Sequence, residues 1–177
     1  MRYQKQCCRE DEIYHQVGHS GLHAVYVCLW DDYVLTNNHL QRLADLVSPI
    51  RDGDFDMVLG SRLAGKIEPG AMPWHQQAGN KLAALCIRWL YGLPVTDLSP
   101  FRAVRRESLL DLRLEEMTYG WPTEMIVKAS RRGWRICEIP VSCHRRLGGK
   151  SKISGTFRGT VFATWLILST IFRYTRW

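Results

Sequence analysis

The sequence predicts an α/β layered domain, on three observations. Short apolar runs that read as strands alternate with longer segments of helical period. Gly and Pro punctuate the boundaries between them. The 177 residues, 46% hydrophobic and 23% charged, have the composition of one globular domain with a real core, not of a disordered chain.

The elements follow in order. Residues 1–24 carry no clean periodicity and read as a poorly patterned N-terminal segment. AVYVCLWDD (24–32) reads as a buried strand ending in acids. Leu40, Leu43, Leu46, Val47 and Ile50 mark one face of a helix. FDMVLG (55–60) is a short strand with a Gly stop, and Gly and Pro make 62–73 a loop. A helix should run from Trp74 or Gln76 to Tyr91, with Gly92 just past its end. PFRAVRR (100–106) is a strand leading into a short helix over 107–112. WPTEMIVKASRRG (121–133) opens with Pro122 at a first-turn position and stops at Gly133. WRICEIPVSCH (134–144) is a strand; Pro140 cannot donate to a ladder and argues for an edge or a bulge. A last helix should span about 154–174.

Charge narrows the function. Net charge is +7 and the pI is near 9.3, which points to an anionic partner. The cations gather late: Arg131, Arg132, Arg135, Arg145, Arg146, Lys150, Lys152, Arg158, Arg173 and Arg176 face a single acid, Glu138. Five of them sit in HRRLGGKSKISGTFRG (144–159). No nucleic-acid recognition motif appears, and few aromatics interleave with this loop, so no nucleic-acid partner is expected. Six Cys form no CxxC pair, and MRYQKQCCREDE has no apolar signal region, so reduced thiols and a cytoplasmic setting are expected. The apolar run 161–172 is too short to span a bilayer and suits a core helix or one lying in the membrane interface.

Candidate residues follow from position and chemistry. Asp31 and Asp32 close an apolar strand, where carboxylates can hold Mg²⁺ or Mn²⁺ against a diphosphate; the bland alternative is a polar turn. Arg62, just after another strand, carries a planar fork that matches phosphate oxygens, or is simply a surface arginine. Asp97 lies in a turn and Arg102 on the following strand; Asp97 suits a general base, an orienting group or an Asx cap. Glu124 sits on the first turn of a helix, at the mouth of a site or merely favoured by the dipole. In the basic loop, Gly148 and Gly149 let backbone N–H groups approach an anion, Ser151 donates, and Lys150 and Lys152 add charge; the spacing is not that of a Walker A loop. His15, His19 and His23 share helical spacing, but Gly18 and Gly21 break that helix, which argues against zinc.

Taken together, GSR…WHQQAGNKLA…LYGLPVTDLSPFRAVRRESLL…TYGWPTEMIVKASRRGWRICEIPV…RRLGGKSKISGT resembles the C-terminal two-thirds of a family 2 glycosyltransferase, nearest the dolichyl- or polyprenyl-phosphate sugar transferases. The blocks occur in order from about Asp31 to Arg173. The resemblance implies a partial GT-A (Rossmann-like) domain over 25–153 and a membrane-interface helix over 154–177. It implies a nucleotide-sugar donor, a divalent metal and a lipid-phosphate acceptor, at the inner face of the cell membrane. Asp32 matches the last acid of the family's DxD motif; Trp30 replaces the first, and Asp31 takes the middle place. Arg62, Arg102, Arg146, Lys150, Ser151 and Lys152 would take phosphate, Asp97 would orient the reacting groups, and Glu124 matches a family acid. The family's first strand–loop–helix unit, which holds the nucleotide base, has no counterpart in residues 1–24. That leaves a second expectation: a truncated, inactive relative acting as a lipid- or partner-binding module.

Overall fold

The computed structural model describes residues 14–17, 25–28, 37–116, 120–145 and 157–176. In order they form β1 (Tyr14–Val17), β2 (Val25–Cys28), α1 (Asn37–Arg51), β3 (Met57–Ser61), α2 (Trp74–Tyr91), β4 (Arg102–Arg105), α3 (Arg106–Asp111), α4 (Trp121–Arg131), β5 (Ile136–Pro140), α5 (Phe157–Arg173) and a 3₁₀ turn, Tyr174–Arg176. The strands make one sheet in the order β1-β2-β4-β3-β5.

Alternating side chains along the central strands send apolar groups to both faces. Met57, Leu59 and Val104 enter one core, with Ala83, Ala84 and Ile87 of α2, Met125, Ile126 and Ala129 of α4, and Ile171 of α5. Val58 and Ala103 enter the other, with Leu46 and Ile50 of α1, Phe101 and Val141. Helices therefore cover both faces, and the expected α/β layering holds. The helix face read from 43, 46, 47 and 50 is the face α1 buries.

The sheet is mixed, which the Rossmann-like expectation did not include. Among the described strands only β3 and β5 pair in parallel, from Met57↔Ile136 to Ser61↔Pro140. β4 runs antiparallel to both β3 and β2. The reason lies in the stretch 92–101. It returns past the C-terminal end of β3, where Gly60 donates its N–H to Phe101 O at 2.8 Å, so β4 enters the sheet from the end at which β3 leaves it. A second difference is β1, which lies within the unpatterned stretch 1–24 and pairs antiparallel with β2. Four residues are too few to show a period; the partner strand defines it.

Boundaries match local chemistry. Gly92 ends α2 in the left-handed region at φ 68°, and its N–H returns to Arg88 O. Pro122 occupies the first turn of α4. Pro140 ends β5, the edge strand. Gly65 is demanded by packing: a Cβ there would lie 2.0 Å from Val141 O. The close approach lets the 62–73 loop extend the parallel ladder, with Ile67 bridging Cys143. Among the described residues no helix is long and apolar enough to cross a membrane.

Candidate functional site

Strand β3 delivers Ser61 and Arg62 to the carboxyl end of the parallel pair β3/β5, the place where open α/β sheets bind ligands. The 92–101 stretch brings Asp97 to the same point. Asp97 Oδ2 accepts from Arg62 Nε at 2.7 Å and from the Arg62 backbone N–H at 2.9 Å, and Oδ1 accepts from Arg62 Nη2 at 2.8 Å. The carboxylate has no exposure, while the Arg62 side chain keeps 10%. Two residues singled out separately thus form one bidentate, charge-assisted pair. Asp97 holds a guanidinium at the end of a strand, which suits the orienting role rather than that of a base.

Beside the pair runs a second chain of bonds. Ser61 Oγ lies 2.6 Å from Thr96 Oγ1. Glu138, in β5, accepts the Thr96 hydroxyl at 2.7 Å and the backbone N–H groups of Thr96 and Asp97. Sequence reasoning missed Glu138 as a site residue. The signal was available: it is the one acid beyond Arg131.

The 62–73 loop is fastened to the root of the basic loop. Glu68 and Cys143 exchange main-chain contact, Glu68 N–H to Cys143 O at 3.0 Å. Glu68 Oε1 meets His144 Nδ1 at 2.6 Å, and Oε2 accepts the Arg145 N–H at 2.9 Å. The Arg145 backbone bond, with His144 beside it, holds the Glu68 carboxyl below its ordinary value. Cys143 is buried here, and burial pushes its thiol up; the Arg62 charge opposes this, while the Asp97 and Glu68 charges push the same way. Arg146, Lys150, Ser151 and Lys152 themselves lie outside the described residues, as do Asp31 and Asp32. Among the described residues no group of three or more His, Cys, Asp or Glu is arranged to hold a metal ion.

Two expected site residues are placed elsewhere. Arg102, expected to take phosphate, instead has no exposure: its guanidinium donates to Pro122 O and Ser99 O and lies over the Trp121 ring, tying β4 to the start of α4. Glu124, expected at the mouth of a site, is also fully buried. It accepts from the N–H groups of Glu115 and Glu116 and from Tyr174 OH at 2.7 Å, and pairs with Lys128 at 2.7 Å. Burial pushes its carboxyl up, but the Lys128 bond and the bonds from Glu115, Glu116 and Tyr174 outweigh it and hold the carboxyl below its ordinary value. Burial and then the Glu124 carboxylate push the Tyr174 phenol up. This cluster closes α4 onto the C-terminal turn.

Behind the site, α2 and α5 pack together: Tyr91 OH donates to Ile171 O, and Thr164 Oγ1 sits against Gly79. Each helix also keeps apolar side chains outside. Trp74, Leu82, Leu85 and Trp89 of α2 are exposed, Trp89 at 87%. Val161, Phe162, Trp165 and Phe172 of α5 are exposed while Ala163, Thr170 and Ile171 are buried. α5 thus packs in the core along one face and keeps an apolar face exposed.

Comparison with known proteins agrees with the resemblance read from the motifs. The chain is a relative of glycosyltransferases. It is 41% identical over 100 residues to an uncharacterized glycosyltransferase of Mycobacterium tuberculosis, covering 55% of this chain and 46% of that protein. More particularly, its relatives include polyprenyl-phosphate sugar transferases. It is 34% identical over 111 residues to the dolichyl-phosphate hexose transferase of Haloferax volcanii, covering 62% of this chain and 46% of that one. It is 32% identical over 126 residues to the undecaprenyl-phosphate mannosyltransferase of Micrococcus luteus, covering 67% and 50%. The chain spans about half the length of these curated relatives. No family model matches it.

Proposed function

We propose that the chain acts in a glycosyltransferase of the GT-A, family 2 kind, one that moves a sugar from a nucleotide-sugar donor to a lipid phosphate, a polyprenyl phosphate, at the inner face of the cell membrane. The observation that carries this reading is the Arg62–Asp97 pair at the strand ends, fastened through the 62–73 loop to the root of the basic loop. With Arg146, Lys150 and Lys152 next in sequence, that arrangement supports a site where cations would meet two anions.

The chemistry needs little more. A phosphate monoester has a second pKa near 6, so at pH 7 it is already an anionic nucleophile and needs no strong base. Its oxygen bonds to the sugar's anomeric carbon as the bond to the donor diphosphate breaks, and the electron pair leaves with the diphosphate. Asp97 holds Arg62 in one pose, and Arg62 with Arg146, Lys150, Ser151 and Lys152 stabilises the charge that develops on the leaving group. Asp32 and Asp31, hard oxygen donors after β2, are the residues that would hold Mg²⁺ or Mn²⁺, which would supply further charge neutralisation at the diphosphate.

The exposed aromatic faces of α2 and α5 support a membrane surface. Trp and Phe favour the headgroup level, and Lys81 and Arg88 add positive charge beside them. The same faces favour a second reading, a lipid-binding relative without transfer activity, because they require no donor site.

Calorimetric titration with GDP and with UDP, with and without Mn²⁺, separates the two. Metal-dependent binding that Asp32→Ala abolishes supports the transferase. A folded protein that binds neither nucleotide but still partitions onto anionic vesicles refutes it in favour of the second reading.

A further inference from the structure

Glu138 plays no part in the chemistry above, yet its position is unusual. It sits mid-strand on the edge strand β5, half-buried, and spends its carboxylate on the turn that carries Asp97. Oε1 accepts the N–H of Thr96 at 2.9 Å and of Asp97 at 3.2 Å; Oε2 accepts the Thr96 N–H at 3.0 Å and its hydroxyl at 2.7 Å. A carboxylate is acceptor-only, so the Thr96 hydroxyl must donate to it. Thr96 Oγ1 then accepts from Ser61 Oγ, 2.6 Å away, and Ser61 Oγ in turn accepts the Ala64 N–H at 3.0 Å. The charge on Glu138 therefore sets the direction of the two hydroxyl hydrogen bonds that lead from its side chain through Thr96 to Ser61. The stretch 92–101 has no helix or strand of its own; the burial of Val95, Leu98 and Phe101 returns it to the end of β3, and these bonds fasten residues 96 and 97 there. One residue on, the Asp97 carboxylate grips Arg62 at three points.

We infer that Glu138 is a positioning residue: through Thr96 and the Asp97 N–H it aims the Asp97 carboxylate at Arg62, and so sets the pose in which Arg62 meets a diphosphate. The last clause rests on the transferase reading; the first does not.

Proton–nitrogen NMR of the full chain tests both. The Arg62 Nε–H bonds a buried carboxylate, so its exchange with water is slow in the wild type. In Glu138→Ala that exchange speeds by at least about tenfold while the amides of Leu59 and Ile126 keep their protection, a local opening and not a global one. Glu138→Gln keeps one carbonyl oxygen for the two N–H groups and restores most of the protection. Unchanged Arg62 exchange in a folded Glu138→Ala, or equal acceleration at Leu59 and Ile126, overturns the inference. Should Glu138→Ala fail to fold, Thr96→Val removes only the hydroxyl link; it too must speed Arg62 exchange, and no change there overturns the inference. Titration with inorganic pyrophosphate adds the second arm, with affinity falling about tenfold in Glu138→Ala. A wild type that binds no pyrophosphate refutes the transferase reading, while the Arg62 exchange still decides the positioning role.

Discussion

Two buried carboxylates in this molecule are built from the same parts and do different work. Asp97 and Glu124 both have no exposure, both pair with a cation under 3 Å away, and both accept backbone N–H groups. Around Glu124 the partners are Lys128 one turn along the same helix, the N–H groups of Glu115 and Glu116, and the Tyr174 phenol. They come from α4, the segment before it and the C-terminal turn, and they close a seam. Around Asp97 the partner is Arg62, at the carboxyl end of β3, from which the 62–73 loop runs to the root of the basic loop. Saturation by neighbours makes a carboxylate a clamp. Placement at the carboxyl end of a parallel strand pair, where open α/β sheets bind ligands, makes a similar carboxylate a candidate for a site.

The largest expected effect breaks the clamp. Glu124→Ala takes the nearest carboxylate from Lys128, which keeps Arg113 O and Glu115, and leaves two N–H groups and the Tyr174 hydroxyl without this acceptor, so stability should fall by about 3–5 kcal/mol, as when one partner of a buried pair is removed. Denaturant unfolding measures it; a loss near zero would erase the distinction between the two regions. Asp97→Ala should cost less, about 1–3 kcal/mol, because it takes an acceptor from one residue, Arg62, whereas Glu124 serves Glu115, Glu116, Lys128 and Tyr174. The same variant should lose nucleotide binding in calorimetry, whereas Glu124→Gln, once shown to be folded, should retain it.

Acid sharpens the contrast further. The Glu124 and Glu68 carboxyls both lie below their ordinary value of 4.5 in the folded chain. Groups depressed by folding stabilise it above their unfolded pKa, and that stabilisation is lost as pH falls through the folded values. Melting temperature should therefore drop on acidification below about 4.5, the unfolded value. The drop should be shallower in Glu124→Gln, since that variant has already lost one of the two contributions. An identical slope in the two proteins would remove Glu124 as its source.

The smallest effect on stability comes from the surface. Trp89→Ala should change unfolding by within about 0.5 kcal/mol, since the ring is 87% exposed. Binding to anionic vesicles in a flotation assay should nonetheless fall by roughly tenfold, the equivalent of losing part of one buried aromatic side chain. Undiminished flotation would take α2 out of the membrane reading.

Local chemistry made much of this legible. Helix α2 shows in its period and its Gly92 stop, α4 in Pro122 and Gly133, and β3 in its apolar run, because period and punctuation are properties of neighbouring residues. Arg62 and Asp97 were each identifiable by their place after a strand or in a turn. Glu124 and Arg102 were equally conspicuous, and the same local signals could not tell that both would be sealed inside. Strand β1 was not legible, since a four-residue strand takes its identity from its partner.

The sequence by itself determined the α/β class, the helices and the late concentration of positive charge, for these depend on spacing and composition. Tertiary structure alone decided the mixed sheet, the pairing of Arg62 with Asp97 and the grip of Glu138 on Thr96. Those contacts join residues 35 and 42 positions apart, and no local rule reaches across such a distance. They exist because the stretch 92–101 returns to the end of β3, and that return is fixed by the burial of α2 and β4 in a common core.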